Sequence, residues 1–531
     1  MQYPFKNVYP SRRSTVFARN IVATSQPLAT QAGLAMLSAG GNAVDAALAT
    51  AIALVVVEPT GNGLGSDAFC ILWDGKELHG LNASGRSPAG WTPERFAGRT
   101  EMPMRGWESV TVPGAVSAWV ELSQRFGKLP FAKLFEPAIA YADKGYIVSP
   151  VIAEGWRRAA AELHSQPGFA EAFMPGGRAP VAGELFRSEA MAGSLRLIAE
   201  TRGEAFYRGE LAEKIEAFAK QHGAALTAAD MAAHRLDWCG TISSRTIGGA
   251  ELHEIPPNGQ GIAALMALGM LAGSGLKDMS PDAPETLHLE IEAMKLALHD
   301  VYAYAADAEH MTEITVKHLL DEDYLASRAK LIDPSRAQDF KSGAPKQGGT
   351  VCLATGDASG MMVSYIQSNY SGFGSGVVVP GTGISLQNRG YGFSLQEGHQ
   401  NRVGSAKRPF HTIIPGFVMR DGMPEMAFGL MGGPMQAQGH VQMMLRTQLW
   451  GQDPQTAADA PRWQFMAGLS VAVEPDIGEA AIAYLEKLGH DIRVETPTES
   501  FGFGGAQLVR RIEGGYAAGS DPRKDGQAAG F

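Results

Sequence analysis

At 531 residues, 45% hydrophobic and 19% charged, the chain has an ordinary globular composition and is long enough for two or more domains or one large layered core. A formal net charge of −10, with no basic block, argues against a non-specific nucleic-acid or anionic-membrane partner. Three cysteines (Cys70, Cys239 and Cys352), none in CxxC spacing, exclude a disulfide framework.

In chain order, the N-terminus lacks the apolar core and small-residue cleavage site of a secretion signal, so the expectation is a cytoplasmic protein. Residues 31–38 read as an amphipathic helix and Gly40-Gly41 breaks it. Residues 43–57 read as an Ala-rich helix, its apolar run too short to span a bilayer. A glycine turn (residues 61–67) feeds a strand over 68–73. Residues 115–230 look mainly helical, with a Pro/Gly interruption near 175–183, and a long helix is expected over 280–306. After residue 350 the chain turns strand-rich, with a first strand at 350–355, a second at 361–366, and a helix near 477–488. Large helical segments around a strand pair suggest a sheet core clad by helices.

Thr350 stands at the mouth of the first of these strands, behind Gly348-Gly349, after a polar stretch punctuated by Pro and Gly. Threonine is a common strand residue, and an ordinary loop-to-strand junction reads the same way locally. The functional reading is a chain that cuts itself before Thr350 and uses the new N-terminal threonine as nucleophile, with its α-amine as base. Self-cleavage needs the hydroxyl to reach the Gly349 carbonyl carbon, and residues without Cβ permit the strained backbone this requires. Cys352, two residues on, shares the strand face of Thr350 and reads as a buried inert thiol.

A series of motifs in order supports the functional reading. They are Ala23-Thr-Ser-Gln-Pro-Leu-Ala29, Gly40-Gly-Asn-Ala-Val-Asp-Ala-Ala47, Glu58-Pro-Thr-Gly-Asn-Gly-Leu-Gly65, Val112-Pro-Gly-Ala115, Pro256-Pro-Asn-Gly-Gln-Gly261 and Glu292-Ala-Met-Lys-Leu-Ala297. Beyond Thr350 come Gly372-Phe-Gly-Ser-Gly376, Lys407-Arg-Pro-Phe-His-Thr412, Gly432-Gly433 and Asp521-Pro-Arg-Lys524. Together, nearly end to end, they resemble the γ-glutamyltransferase family of N-terminal-nucleophile (Ntn) hydrolases. The resemblance implies an α+β fold, an αββα sandwich of two stacked antiparallel sheets between helical layers. It also implies cleavage between Gly349 and Thr350 into a large subunit (1–349) and a small subunit (350–531), intertwined as one domain. It implies no cofactor and no metal, a small acidic amide as substrate, and allows a dimer of these heterodimers.

Residue by residue, the resemblance makes Thr350 the nucleophile and Gly432 and Gly433 the oxyanion-hole pair, whose N–H groups approach an oxyanion with no side chain between. Asn369 falls near the family's amine-binding asparagine, although its spacing to Phe373 is longer here. His411 and Thr412 stand where the family carries two serines that hold the substrate α-carboxylate; both keep a donor. The family's carboxylate-binding arginine is displaced along the chain to Arg86, still a bidentate clamp by chemistry. Gly392 stands at the family's ammonium-binding aspartate, with Arg389 close by. Losing an anion and gaining a cation suits a substrate with a carboxylate and no α-amine.

Two other motif readings are weak. Gly61–Gly65 and Gly372–Gly376 are not followed by Gly-Lys-Ser/Thr, which argues against a phosphate loop. His288, Glu292 and His299 share a helix without an HExxH pattern, a poor metal signature. The expectation is therefore a self-processing amidohydrolase, with oxamate as the preferred substrate. A γ-glutamyl (glutathione) hydrolase or transferase and a glutaryl-type acylase are the alternatives, and a processed but non-catalytic binding homologue is the alternative of another class.

Overall fold

Asn42 opens the most buried helix of the protein. Its side chain accepts from Asp45 N while the Asp45 carboxylate accepts from Asn42 N, a reciprocal cap that starts Ala43–Val57. All fifteen residues of that helix are buried, as expected for a helix apolar all round. The computed structural model describes residues 13–245, 248–340, 349–496 and 501–531.

The helix lies on one of two seven-stranded sheets. That sheet runs Gln527–Gly530, Ile21–Thr24, Gly349–Gly356, Met362–Tyr370, Asp67–Trp73, Leu78–Asn82 and Asp237–Trp238. The other runs Val16–Ala18, Gly515–Ser520, Gly505–Ile512, Met423–Met431, Gly416–Arg420, Glu251–Glu254 and Ile242–Arg245. Every pairing within both sheets is antiparallel. Side-chain alternation divides each strand between two cores. Val351, Leu353, Val363 and Tyr365 face the helical layer, whereas Cys352, Ala354, Met362 and Ile366 meet Phe417, Ala427 and Val509 of the opposite sheet. The far side of that second sheet is covered by helices Gly261–Leu271, Pro284–Tyr304 and Met435–Met444. The expected αββα sandwich is present.

Strands from before and after Thr350 interleave in both sheets, so neither segment holds a complete sheet of its own. The long helix begins at Pro284, four residues later than expected at 280, because the residue before a proline is disfavoured in helical geometry. The second strand passes its expected end at Ile366 and reaches Tyr370. Gln367, Ser368 and Asn369 look like strand breakers in sequence, yet each is fully buried. Trp119 Nε1 donates to Gln367 Oε1 at 2.9 Å, and Ser66 Oγ donates to Asn369 Oδ1 at 2.8 Å. Polar residues with buried partners continue a strand as well as apolar ones do. Among the described residues no helix is long and apolar enough to cross a membrane.

Candidate active site

Thr350 is 3% exposed and sits beside a register shift. Gly349 pairs with Tyr370 and Val351 with Gln367, so the ladder slips at the threonine. Its Oγ1 donates to Ser368 Oγ at 3.2 Å and accepts from Gln436 Nε2 at 3.3 Å. Among the described residues, then, neither hydrogen-bond partner of the Thr350 hydroxyl can serve as a base. Gln436 is held by Ile414 N, which donates to its Oε1 at 2.9 Å.

Strand Met423–Met431 delivers Gly432 and Gly433 to the same place. Their φ angles of 121° and 61° lie where side chains are strained, and a Cβ on Gly432 would come within 3.1 Å of Gly504 Cα and Met435 Cβ. Neither N–H has an acceptor among the described residues, whereas the Gly433 carbonyl accepts from Gln260 Nε2 at 2.8 Å. Thr350 and Gly432 line one cavity of about 210 Å³, together with Glu58, Thr60, Gly61, Arg105, Arg158 and Lys524.

A second cavity, of about 280 Å³, holds Arg389, Thr412, Gly392, Tyr370 and Tyr391. Arg389 is 2% exposed. Its Nη1 donates to Thr412 Oγ1 at 2.9 Å and its guanidinium lies 4.8 Å from the Tyr370 ring centre. Nε and Nη2 have no hydrogen-bond partner among the described residues. Burial lowers the Arg389 pKa to about 10, opposed by Asp67 and Tyr370, so the group stays charged at neutral pH. Tyr370 holds φ at 81°, a strained value for an aromatic residue, directly opposite Gly349 in the ladder. The residue whose ring walls the arginine cavity is thus the ladder partner of Gly349 at the expected scissile position.

Three sequence-predicted residues are engaged elsewhere. Arg86 faces Asp237 at 3.7 Å and donates to the Arg235 carbonyl; it lines neither cavity, so Arg86 and Arg389 do not share one. Asn369 spends its amide on Ser66 and Ser385. At His411, Nδ1 accepts from Ile413 N, which places the hydrogen on Nε2, and this donates to Asp67 Oδ2 at 3.1 Å. With both nitrogens used, His411 has no donor for a ligand. Burial and the nearby Arg389 and Arg408 hold its pKa well below the usual histidine value. Burial lifts Asp67 to about 7 against the pull of Arg389 and the Gly85 and Gly114 N–H groups.

Cys352 is 1% exposed with its thiol pKa pushed up by burial, in keeping with an inert residue. His299 turns to Asp300 rather than joining His288 and Glu292. Those two instead meet His490. Lys295 Nζ donates to Glu292 at 2.6 Å and contacts His490 Nδ1 at 3.4 Å, so the chain supplies its own cation to this cluster.

Gln436, Ser368, Tyr370, Glu58 and Lys524 are the site residues that sequence reasoning missed. Gln436, four residues past Gly432 in the first turn of its helix, carries a signal only through that spacing. Gln436→Ala is expected to slow both self-cleavage and turnover about tenfold, because one hydrogen bond to the nucleophile is worth roughly 1–1.5 kcal/mol. Timed gel densitometry and steady-state rates check this.

The Gamma-glutamyltranspeptidase family model matches residues 29–531. The oxamate amidohydrolase proenzyme of Klebsiella pneumoniae is 36% identical over 98% of the chain and 99% of its own length. The glutathione hydrolase-like YwrD proenzyme of Bacillus subtilis is 35% identical, over 98% of this chain and all of its own. The crystal structure of cephalosporin acylase from Bacillus halodurans superposes with a TM-score of 0.95 at 47% identity, covering 100% of this chain and 99% of that one. With an αββα sandwich and a match over nearly its whole length, this chain belongs to the gamma-glutamyltranspeptidase family of Ntn amide hydrolases.

Proposed function

We propose that the chain matures by cutting itself between Gly349 and Thr350 and then hydrolyses the monoamide of a dicarboxylic acid that lacks an α-ammonium group. In maturation the Thr350 Oγ1 attacks the Gly349 carbonyl carbon, the C–N bond breaks as the ester forms and the Oγ1 proton passes to the departing nitrogen, which becomes the free α-amine; water then hydrolyses the ester to the Gly349 carboxylate and the Thr350 hydroxyl. In turnover that amine takes the Oγ1 proton while Oγ1 bonds the substrate acyl carbon. The N–H groups of Gly432 and Gly433 stabilise the oxyanion. The amide C–N bond then breaks, the proton passes to the leaving nitrogen, and water hydrolyses the acyl-threonine.

Arg389 carries the substrate reading. Arg389 lines the cavity, and its buried, charged guanidinium, with two donors that have no partner among the described residues, is matched best by a carboxylate. Gly392 lines the same cavity and offers no anion for an ammonium group at its position; the one acidic residue on that wall, Glu101, is exposed. The aromatic walls and the size of the cavity favour a glutaryl-length or longer acyl group over the two-carbon oxamyl group. Likeness to a cephalosporin acylase at 47% identity supports the same choice. Oxamate is the second reading, supported by the likeness to an oxamate amidohydrolase.

The test is a substrate panel of glutaryl-p-nitroanilide, oxamate and γ-glutamyl-p-nitroanilide, assayed on processed enzyme. Highest kcat/KM is expected for the glutaryl amide. Preference for the γ-glutamyl amide would overturn the reading, because that substrate differs from the glutaryl one only by the ammonium group.

A further inference from the structure

The cavity that exposes Thr350 also holds two buried ionisable groups that the mechanism above leaves unused. Glu58 is 5% and Lys524 8% exposed. Glu58 ends the helix Ala43–Val57 and starts the turn to Gly61. That turn lies on the nucleophile itself: a Cβ on Gly61 would come 3.1 Å from the Thr350 carbonyl oxygen. Glu58 Oε2 accepts from Ser25 Oγ at 2.5 Å.

Lys524 arrives from the opposite end of the chain. Its turn is locked by Asp521, whose carboxylate accepts from Arg462 Nη2 at 2.5 Å, from Ala506 N at 2.7 Å and from Arg523 N at 2.9 Å. Arg523 is tied in turn to Glu474. Two distant segments are thus fixed so that a carboxyl group and an ammonium group share the wall of the nucleophile's cavity.

We propose that Glu58 and Lys524 are an opposed pair of positioning residues that set the protonation of the freed Thr350 α-amine. The inference rests on the self-processing reading, since the amine does not exist before the cut. The amine must be neutral to take the hydroxyl proton, and a neighbouring cation disfavours its protonated form while an anion favours it. Lys524 therefore keeps the base available towards lower pH, and Glu58 steadies the ammonium that forms in the reaction.

Burial lifts Glu58 to about 7, opposed by Ser25 and Lys524, while Asp525 acts with burial. Burial lowers Lys524, opposed by Glu58, Asp521, Asp525 and Cys352. Tyr146 also faces Glu58. The remaining charges of the cavity are tied to each other or to neighbours: Arg105 to Glu162 at 2.7 Å and Arg158 to Glu154 at 2.6 Å.

The test is the pH profile of kcat/KM for processed wild-type, Glu58→Gln, Lys524→Met and Lys524→Arg enzymes, with intact mass recorded for each. Lys524→Met should move the acid-side midpoint up by about one pH unit, Glu58→Gln should move it down, and Lys524→Arg should restore the wild-type midpoint. Processing should be near the wild-type rate in all three. Midpoints that stay put, or that move the same way in the Lys524→Met and Glu58→Gln proteins, would overturn the proposal. Failure of a variant to process would also overturn it, because the Thr350 nitrogen is still a peptide nitrogen when Oγ1 attacks Gly349. A wild-type chain that stays whole would instead remove the self-processing reading on which the inference rests.

Discussion

Thr350→Ala is expected to leave the 531-residue chain whole and without measurable amidase activity, while wild-type protein yields pieces of residues 1–349 and 350–531. The substitution removes the atom that forms the ester and changes little else. Thr350 Oγ1 contributes one donated and one accepted hydrogen bond, and their loss costs about 1–3 kcal/mol, within the range a large domain tolerates. Thr350→Ser keeps an attacking hydroxyl and should process slowly, because the γ-methyl no longer restricts the side-chain rotamer. Intact-mass spectrometry of the three proteins after equal incubation decides the matter. Cleavage in the Ala protein would exclude Thr350 as the attacking group.

Arg389→Met should raise KM for a glutaryl amide about a hundredfold with a much smaller change in kcat. Two charge-assisted hydrogen bonds from one buried guanidinium are worth roughly 2–5 kcal/mol in binding, and the arginine holds the far end of the acyl group rather than the reacting carbon. Such binding energy is felt equally in the ground and transition states, which is why KM carries the effect. Methionine approximates the volume of the arginine stem, so the cavity walls beside Tyr370 and Thr412 are kept. Arg389→Lys should recover only part of the loss, since a point charge cannot reproduce the bidentate fork. Steady-state kinetics with glutaryl-p-nitroanilide measure both. An unchanged KM would move the carboxylate site elsewhere.

The two expectations differ in how far the sequence supports them. Thr350 stands out by its glycines, its polar lead-in and the alternating apolar strand after it, but its proposed role is legible only through the ordered motifs along the rest of the chain. Gly432 and Gly433 are legible for a related reason, since a Gly-Gly pair requires a backbone conformation that no other residue tolerates well, and the structure gives both positive φ. Elements with strong periodicity or strong stop signals were equally plain. Residues 43–57 form the helix their composition implies, and Asn42 supplies its cap.

Arg86, Asn369 and His411 show where local reading stops. Each has suitable chemistry, but polar side chains pair with whichever partner the fold brings nearest. Asp237 meets Arg86, Ser66 and Ser385 meet Asn369, and Asp67 meets His411. All these contacts except Asn369–Ser385 join residues more than a hundred positions apart, so none is visible as spacing.

The sequence by itself determined the sandwich, through the motifs that carry the family resemblance, and it set the residue types on which the proposed roles of Thr350, Gly432, Gly433 and Gly392 rest, because each of those depends on residue type at one position. Only the tertiary structure decided that Arg389 rather than Arg86 faces a cavity, that Gln436 donates to the nucleophile, and that Glu58 and Lys524 share its pocket. The physical reason is that burial and hydrogen-bond partnership are set by strands and turns meeting across the two sheets. Glu58 and Lys524, 466 positions apart in sequence, reach Thr350 from opposite ends of the chain.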